Sequence, residues 1–267
     1  MAEAENHLIA ALARSDRKRL LALCEPVPLV PSEVLLRDAG APTSSVLFPV
    51  RGFISLITQV DHGDGVEVGM VGREGMLGVQ LVLGVTAAPV RAVVQGPGQA
   101  WRIGRAPFLR ELARNPALQR LLDRYAYVLM RQWAIASACQ RYHDLGSRLA
   151  RWLLMCHDRA QADRFRVTHE GIAAMLGVRR VGVTVAAGAL QARGIIRYHR
   201  GELSVLDRSA LEAHACSCYG ADRLAYREGM GEPGERKGRE GPRRRPDRDH
   251  AALPAGSKRV YTPLMTA

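Results

Sequence analysis

The chain has 267 residues, which is enough for two modest domains with hydrophobic cores of their own. Its formal net charge of +12 favours a polyanionic partner. The five cysteines are odd in number and scattered, which argues against a disulfide framework and fits a reducing compartment. No apolar stretch reaches the roughly 18 residues that a membrane span needs, so we expect a cytoplasmic protein without membrane contact.

The N-terminal sequence predicts helices followed by many short strands. Residues 5–24 predict one or two short amphipathic helices. Candidate strands cover 34–37, 46–49, 53–60, 66–71, 76–83, 90–95 and 99–103. Turn signals such as Gly96-Pro97-Gly98 separate these runs. Short strands at even spacing predict a compact sandwich, barrel or jelly roll.

The period then becomes helical, beginning with Asn115-Pro116, a good cap and first-turn pair. A helix over 116–141 would be about 40 Å long. One heptad stripe consists of Leu118, Leu122, Tyr125, Leu129, Gln132, Ala136 and Cys139. A second stripe with Leu121, Val128 and Ile135 flanks it. Packing of one helix on its own domain is the simpler alternative, but two stripes favour one side on the β domain and the other on a second copy. We therefore predict a homodimer whose seam runs from Leu118 to Ala136.

The run 167–196 predicts a helix-turn-helix, preceded by an amphipathic helix over 145–157. Thr168 can cap the first helix of the motif, and Gly177 suits the left-handed conformation of a sharp turn. A second helix would begin near Val178. A tight helical hairpin in any globular domain is the alternative.

The outer face of the second helix would carry the side chains that meet base edges. These are Arg179, Arg180, Val181 and Thr184. Thr168 and His169, at the start of the first helix, are better suited to phosphate contacts.

Residues 195–206 predict two short strands around a turn at Arg200-Gly201. A helix-turn-helix followed by such a hairpin is a winged helix. Its tip carries Arg197, His199 and Arg200, which suit phosphate contact, although a solvated turn would have the same residues.

The end of the chain carries two further features. From 221 to 267 we predict a disordered basic tail, rich in Gly, Pro and Arg, that can add sequence-independent attraction to DNA. Cys216-Ser217-Cys218 is the one close cysteine pair. Its single-residue gap is poor for a zinc knuckle and no second pair completes a site, so we expect no metal.

In their order, these elements resemble the Crp/Fnr family of bacterial transcription regulators. The resemblance covers about 26–219 and is strongest in 145–206 and in 48–54. It implies an α+β fold with an N-terminal antiparallel β-roll or jelly roll, a long dimerisation helix and a C-terminal winged helix-turn-helix. It also implies an effector sensed in a cyclic-nucleotide-binding-like β-roll, double-stranded DNA and RNA polymerase as partners, and a two-fold symmetric operator.

The effector pocket departs from the family pattern. Nucleotide-binding members have a Gly-Glu pair followed about ten residues later by Arg and Ser or Thr, which hold ribose and phosphate. Here Val79 follows Gly78 where the Glu belongs, and Arg91 is displaced by two or three residues. Cyclic AMP binding is therefore disfavoured, and no cofactor is expected, although an unidentified effector stays open. The chain also lacks an N-terminal cysteine cluster for iron–sulfur chemistry.

The DNA-reading helix departs from the pattern as well. The best-known members place Arg, Glu and Arg at fixed steps, whereas here Arg180 matches the first and Val181 and Val185 replace the others. Sequence preference should therefore differ from theirs. No enzyme is expected: the glycine-rich run 69–75 matches no phosphate-binding loop, and His169-Glu170 lacks the second His of a zinc protease helix.

We thus predict a homodimeric DNA-binding regulator. It would consist of an effector-sensing β-roll with N-terminal helices over 1–115, a dimerisation helix over 116–141, a winged helix over 142–220 and the tail over 221–267. The alternatives are a cyclic-nucleotide-sensing module that acts by protein contact, and constitutive DNA binding with a vestigial pocket.

Overall fold

Two short helices and an antiparallel sheet form the N-terminal part of the fold. The computed structural model describes residues 5–60 and 64–231. Helices α1 (His7–Ala10) and α2 (Arg14–Leu21) confirm the helices predicted before residue 24. The strands are β1 (Glu25–Leu29), β2 (Val34–Leu36), β3 (Ser45–Val60), β4 (Asp64–Val71) and β5 (Arg91–Gly104). They pair antiparallel in the order β1-β5-β3-β4, with β2 also against β5, which confirms the β-roll.

The long strands β3 and β5 each merge two runs that the sequence analysis kept apart. The predicted turn at Gly96-Pro97-Gly98 lies inside β5 and was wrong. A Cβ at Gly98 would come within 2.0 Å of the carbonyl oxygen of Arg51. These glycines therefore permit close approach of two backbones. In a sequence alone, glycines with this role cannot be distinguished from glycines that form a turn.

The predicted strand 76–83 was also wrong. The structure has a 3-10 helix, Val79–Leu83, flanked by Gly78 at φ 95° and Gly84 at φ 77°. Both glycines take the left-handed conformation that a tight helical turn needs at its ends. A short apolar run between two glycines fits a strand or a helix equally well, so its pattern cannot distinguish the two structures.

Two helices join the β-roll to the C-terminal part. Helix α3 (Arg105–Arg114) was not foreseen, and α4 (Pro116–Tyr142) confirms the long predicted helix. The side-chain oxygen of Asn115 accepts hydrogen bonds from the backbone N–H groups of Ala117 and Leu118, as the predicted cap requires.

The face of α4 that was predicted as the dimer seam is covered by the chain itself. Leu118, Leu122, Tyr125 and Leu129 are buried in one core with Phe48, Met76 and Phe108. Ala136 is also buried, and Gln132 is half-buried. The seam prediction was therefore wrong for this face, because the heptad stripe packs on the β-roll. Periodicity shows which residues share a face, not what covers it.

The C-terminal part begins with α5 (Leu145–Ala160), whose first turn Asp144 caps. The elements that follow are β6 (Arg164–Arg166), α6 (His169–Leu176), α7 (Arg180–Ala192), β7 (Ile196–His199), β8 (Glu202–Val205) and α8 (Arg208–His214). The three strands form a sheet in the order β6-β8-β7. The predicted winged helix-turn-helix is thus present, with β6 as an additional strand. Its core extends into the β-roll through Phe53 and Met70.

Helix α9 (Cys218–Met230) lies where the disordered tail was predicted to begin. It packs along α4: a Cβ at Gly229 would come 2.2 Å from a methyl carbon of Val128. The tail boundary at 221 was therefore wrong, because Tyr219, Asp222 and Ala225 supply a buried face that is too short to stand out as a periodic pattern. Residues 232–267 of the predicted tail lie outside the described residues.

Over residues 5–60 and 64–231, no single helix is long and apolar enough to cross a membrane. Helices α6 and α7 meet that criterion only together, as a pair bent by 110°.

Candidate DNA-binding surface and its contacts with the β-roll

The helix-turn-helix is built from the cap and the turn that the sequence predicted. The hydroxyl oxygen of Thr168 accepts a hydrogen bond from the backbone N–H of Gly171 at 2.9 Å. Gly177 has φ 62° and ends α6 in the left-handed conformation. Buried Ala173 keeps the two helices close, and α7 begins at Arg180 rather than near Val178.

The first turns of α7 present an exposed face. Arg179, Arg180, Val181 and Thr184 are all exposed, as predicted. Val181 is 67% exposed and Val185, which the sequence analysis treated only as a departure from the family, is 69% exposed. Two exposed valines on a helix next to two arginines form a mixed apolar and cationic surface. Such a surface can contact thymine methyl groups as well as guanine edges.

His169 and Thr184 bind each other. His169 Nδ1 lies 3.0 Å from Thr184 Oγ1, and the Thr184 hydroxyl donates to the carbonyl oxygen of Arg180 at 3.1 Å. The His169 ring stacks on Tyr198 of β7 with centroids 4.2 Å apart. Burial and the neighbouring Arg180 lower the pKa of His169, which favours its neutral imidazole. These two residues thus join α6, α7 and the wing, and Tyr198 is a member of the site that sequence reasoning missed.

The wing tip is a tight turn with exposed cations. Arg200 has φ 48° and Gly201 has φ 79°, the pair of left-handed conformations typical of a two-residue hairpin turn. Arg197, His199 and Arg200 are exposed on it, as predicted. Arg164 and Arg166 of β6 add two exposed cations to the same sheet, which the sequence analysis did not include because β6 has only three residues.

The opposite side of the winged helix carries buried charged groups. We call Arg151, Trp152 and Arg159 the inner face of α5. The Trp152 indole donates to Glu67 at 3.0 Å, and the Ser55 hydroxyl donates to the other oxygen of Glu67 at 2.5 Å.

Each of the two arginines on this inner face pairs with an acidic residue. Arg159 pairs with Glu74 at 2.8 Å, and Arg151 pairs with Asp222 of α9. Burial raises the pKa of Glu67 to about 7, although both hydrogen bonds lower it. The inner face thus ties the winged helix to the β-roll and to α9.

A cavity of about 410 Å³ lies beside this inner face. Its lining includes Phe53, Gly96 and Pro97 from the β-roll and Trp152 and Phe165 from the winged helix. The residues predicted for an effector pocket lie elsewhere. Gly78 begins the 3-10 helix, Val79 packs partly buried against the core, and Arg91 opens β5, half-buried. They do not line this cavity.

Four side chains that could hold a metal ion meet at the end of α4. The Cys3His cluster consists of Cys139, His143, Cys216 and Cys218, and its ligand atoms all lie within 4.8 Å of one another. Cys216 and Cys218 have no second pair of ligands nearby in the sequence, because the other two residues of the cluster lie far away in the chain. Cys139 and Cys216 are 77 residues apart.

Comparisons with known proteins agree with this geometry. Residues 147–214 match the model of the Crp-like helix-turn-helix domain. The global nitrogen regulator of Nostoc sp. is 25% identical over 176 residues, which cover 62% of this chain and 78% of that protein. FixK2 from Bradyrhizobium japonicum has a similar fold at a TM-score of 0.61 and 15% identity, covering 72% of this chain and 98% of that one. The c-di-GMP responsive regulator CLP of Xanthomonas campestris has a TM-score of 0.59 at 15% identity, covering 72% and 99%.

Proposed function

We propose that this chain is a DNA-binding transcription regulator of the Crp/Fnr type and that it binds a two-fold symmetric operator as a homodimer. The observation that carries the proposal is the exposure of Arg179, Arg180 and Val181 directly after the turn of the helix-turn-helix. In this arrangement the N-terminal turns of α7 enter the major groove. The two half-sites then lie about one helical turn, roughly 34 Å, apart.

Within each half-site the exposed side chains have distinct tasks. Arg180 extends from the first turn of α7 and can donate two hydrogen bonds to guanine O6 and N7. Val181 can contact a thymine methyl group. Arg197 and Arg200 of the wing neutralise phosphates and fix the orientation of the protein without reading sequence. His169 and Thr184 act indirectly, because their mutual hydrogen bond positions α7 against α6.

The second copy would bind on the outer face of α4. Exposed positions there recur at alternating steps of three and four: Arg120, Asp123, Tyr127, Met130, Ala134, Ser137 and Arg141. Tyr127 is 57% and Met130 is 61% exposed, and the two lie three residues apart near the centre of this stripe. Burial of this stripe against its copy would form a two-helix seam. It replaces the seam that the sequence alone suggested.

Regulation would act through the packing of the paired α4 helices. An effector that binds one arrangement more tightly than the other would shift the population toward it and reorient the recognition helices. The ligand is unidentified, and Gly78, Val79 and Arg91 are retained as candidate pocket residues. Constitutive DNA binding is the second candidate, favoured by the absence of the ribose-binding Glu at Val79. RNA polymerase is the expected protein partner of the bound dimer.

The test is selection of bound sequences from random duplex DNA, using the full chain without added ligand at stated salt. An enriched inverted repeat supports the proposal, and its centre-to-centre spacing tests the dimer. If the wild-type chain binds DNA only weakly and with a steep dependence on salt, the selection is repeated with cell extract. Failure in both conditions would favour the module that acts by protein contact.

Matched variants sharpen the selection. Arg179→Ala with Arg180→Ala should abolish enrichment of the repeat, whereas Arg102→Ala, which removes an exposed arginine of β5, should leave the recovered sequence unchanged. Met130→Glu should shift the sedimentation of the free protein from dimer to monomer. A Met130→Glu variant that still sediments as a dimer would contradict the proposed interface. A monomeric variant that binds the repeat with undiminished affinity would contradict binding as a dimer.

A further inference from the structure

The Cys3His cluster joins two distant parts of the chain. Cys139 lies in the last turn of α4 and His143 is its C-cap residue, whereas Cys216 and Cys218 flank the start of α9. Cys139 Sγ lies 3.5 Å from Cys216 Sγ, and Cys218 Sγ lies 3.6 Å from His143 Nδ1. Four potential ligands from two segments therefore point at one another.

The spacing of the cluster matches a single tetrahedral ion. With Zn–S bonds of about 2.3 Å, the ligands of a tetrahedral site lie about 3.8 Å from one another. The two measured contacts are within a few tenths of an ångström of that edge, and no pair of ligand atoms exceeds 4.8 Å. A disulfide between Cys139 and Cys216 would use only two of the thiols and would leave the imidazole unexplained.

We propose that the Cys3His cluster binds one Zn²⁺ ion. Thiolate and imidazole are the ligands that Zn²⁺ takes in structural sites, and four protein ligands leave no open position for catalysis. The three cysteines are at most 8% exposed, so the ion would be shielded from water. Apolar packing of the three thiols would not explain why the ring nitrogen of His143 lies beside Cys218.

The surroundings favour such an ion. Three thiolates and a neutral imidazole around Zn²⁺ carry a net charge of about −1, which requires nearby cations when it is buried. Arg148 and Arg151 of α5 lie near enough to Cys139 and Cys216 for their charges to interact. The backbone N–H of Cys216 also donates to the carbonyl oxygen of Ser147 at 3.4 Å, which holds the α8–α9 segment on α5.

The ion would fix the joint between α4 and α5. His143 has an extended backbone and separates the two helices, so rotation there moves the winged helix relative to α4. Coordination of one Zn²⁺ ion by His143, Cys216 and Cys218 would prevent that rotation. It would also hold α9 along α4. This role goes beyond DNA binding and does not depend on it.

The test is titration of the reduced, metal-free full chain with Co²⁺ under anaerobic conditions. We expect the intense visible absorption of a tetrahedral cobalt–thiolate site, saturation at about one ion per chain, and loss of the spectrum on adding Zn²⁺. Cys216→Ser and His143→Ala should lose or strongly weaken the spectrum. Cys24→Ser, which removes a cysteine outside the cluster, should leave it unchanged.

A second measurement uses only the wild-type chain, so it tests the proposal even if the variants do not fold. In the wild-type chain, Zn²⁺ should slow alkylation of Cys139, Cys216 and Cys218, while the rate at Cys24 stays the same with and without chelator. The proposal is overturned by an absent cobalt spectrum, by equal alkylation rates in both conditions, or by iron with labile sulfide in the purified protein. None of these readouts involves DNA.

Discussion

The outer surface and the inner face of the winged helix use the same residue types for opposite purposes. On the outer surface, Arg179, Arg197 and Arg200 are exposed. On the inner face, Arg151 and Arg159 are almost buried and each has a carboxylate partner. An exposed arginine costs the fold little and stays available to a phosphate. A buried arginine without its partner would strongly destabilise the fold. Arginine content alone therefore does not locate a DNA-binding surface, and the burial and pairing of Arg151 and Arg159 exclude these two residues from it.

The largest expected effect is on the inner face. Asp222→Ala leaves the Arg151 guanidinium, whose side chain is 13% exposed, without its partner. We expect a loss of about 4 kcal/mol in the free energy of unfolding, measured by urea denaturation. Glu228→Ala, also on α9, breaks the exposed pair with Arg131 of α4 and should cost less than about 1 kcal/mol. If the two variants lose equal free energy of unfolding, burial does not distinguish the contributions of the two pairs.

Glu67 should make stability depend on pH. Its pKa is raised from 4.5 to about 7 in the folded state, so the folded protein binds a proton that the unfolded chain releases between those values. The stability from this proton is complete below about pH 4.5 and is lost as pH rises through 7. Glu67→Gln should remove this dependence and stabilise the protein at pH 8 by on the order of 3 kcal/mol. Thermal melts at pH 5 and pH 8 measure this dependence, with the exposed Glu202→Gln as the control. If wild type and Glu67→Gln differ in melting temperature by the same amount at both pH values, the prediction is contradicted.

The wing should affect binding without affecting stability. Arg200→Asn removes the charge but keeps a residue that tolerates φ 48°. We expect DNA affinity to fall about three- to tenfold and the slope of log affinity against log salt to decrease by about 0.9. The melting temperature should stay the same. If the affinity falls equally at all salt concentrations, Arg200 is not a phosphate contact.

The smallest effect concerns sequence preference. Val181→Ala removes two methyl groups from a side chain that is 67% exposed in the free protein. Burial of one such group is worth about 0.8 kcal/mol, so preference for one base pair in each half-site should weaken about fourfold. Competition with operator variants measures this. Val185→Ala on the same face is the comparison, and a uniform loss across all sequences would exclude a base contact for Val181.

Local features of the fold could be predicted from the sequence, whereas contacts between distant segments could not. Thr168, Gly177 and the Arg200-Gly201 turn are local signals, because a cap, a left-handed residue and a tight turn each depend on a few neighbouring residues. What covers each face of α4 is not a local feature. Both predicted stripes have helical periodicity and both are largely buried, one against the β-roll and Val128 of the other against α9. Cys139 and Cys216 meet through the packing of α9, whose short buried face the pattern did not reveal.

The two faces of α4 have a consequence for evolution. The inner stripe is committed to the β-roll core, whereas the outer stripe with Tyr127 and Met130 contributes little to the folded monomer. In the proposed dimer, substitutions on the outer stripe would therefore change which chains pair without destabilising the fold. After gene duplication, two copies could become separate homodimers through a few such changes, and mixed dimers with mismatched recognition helices would be avoided.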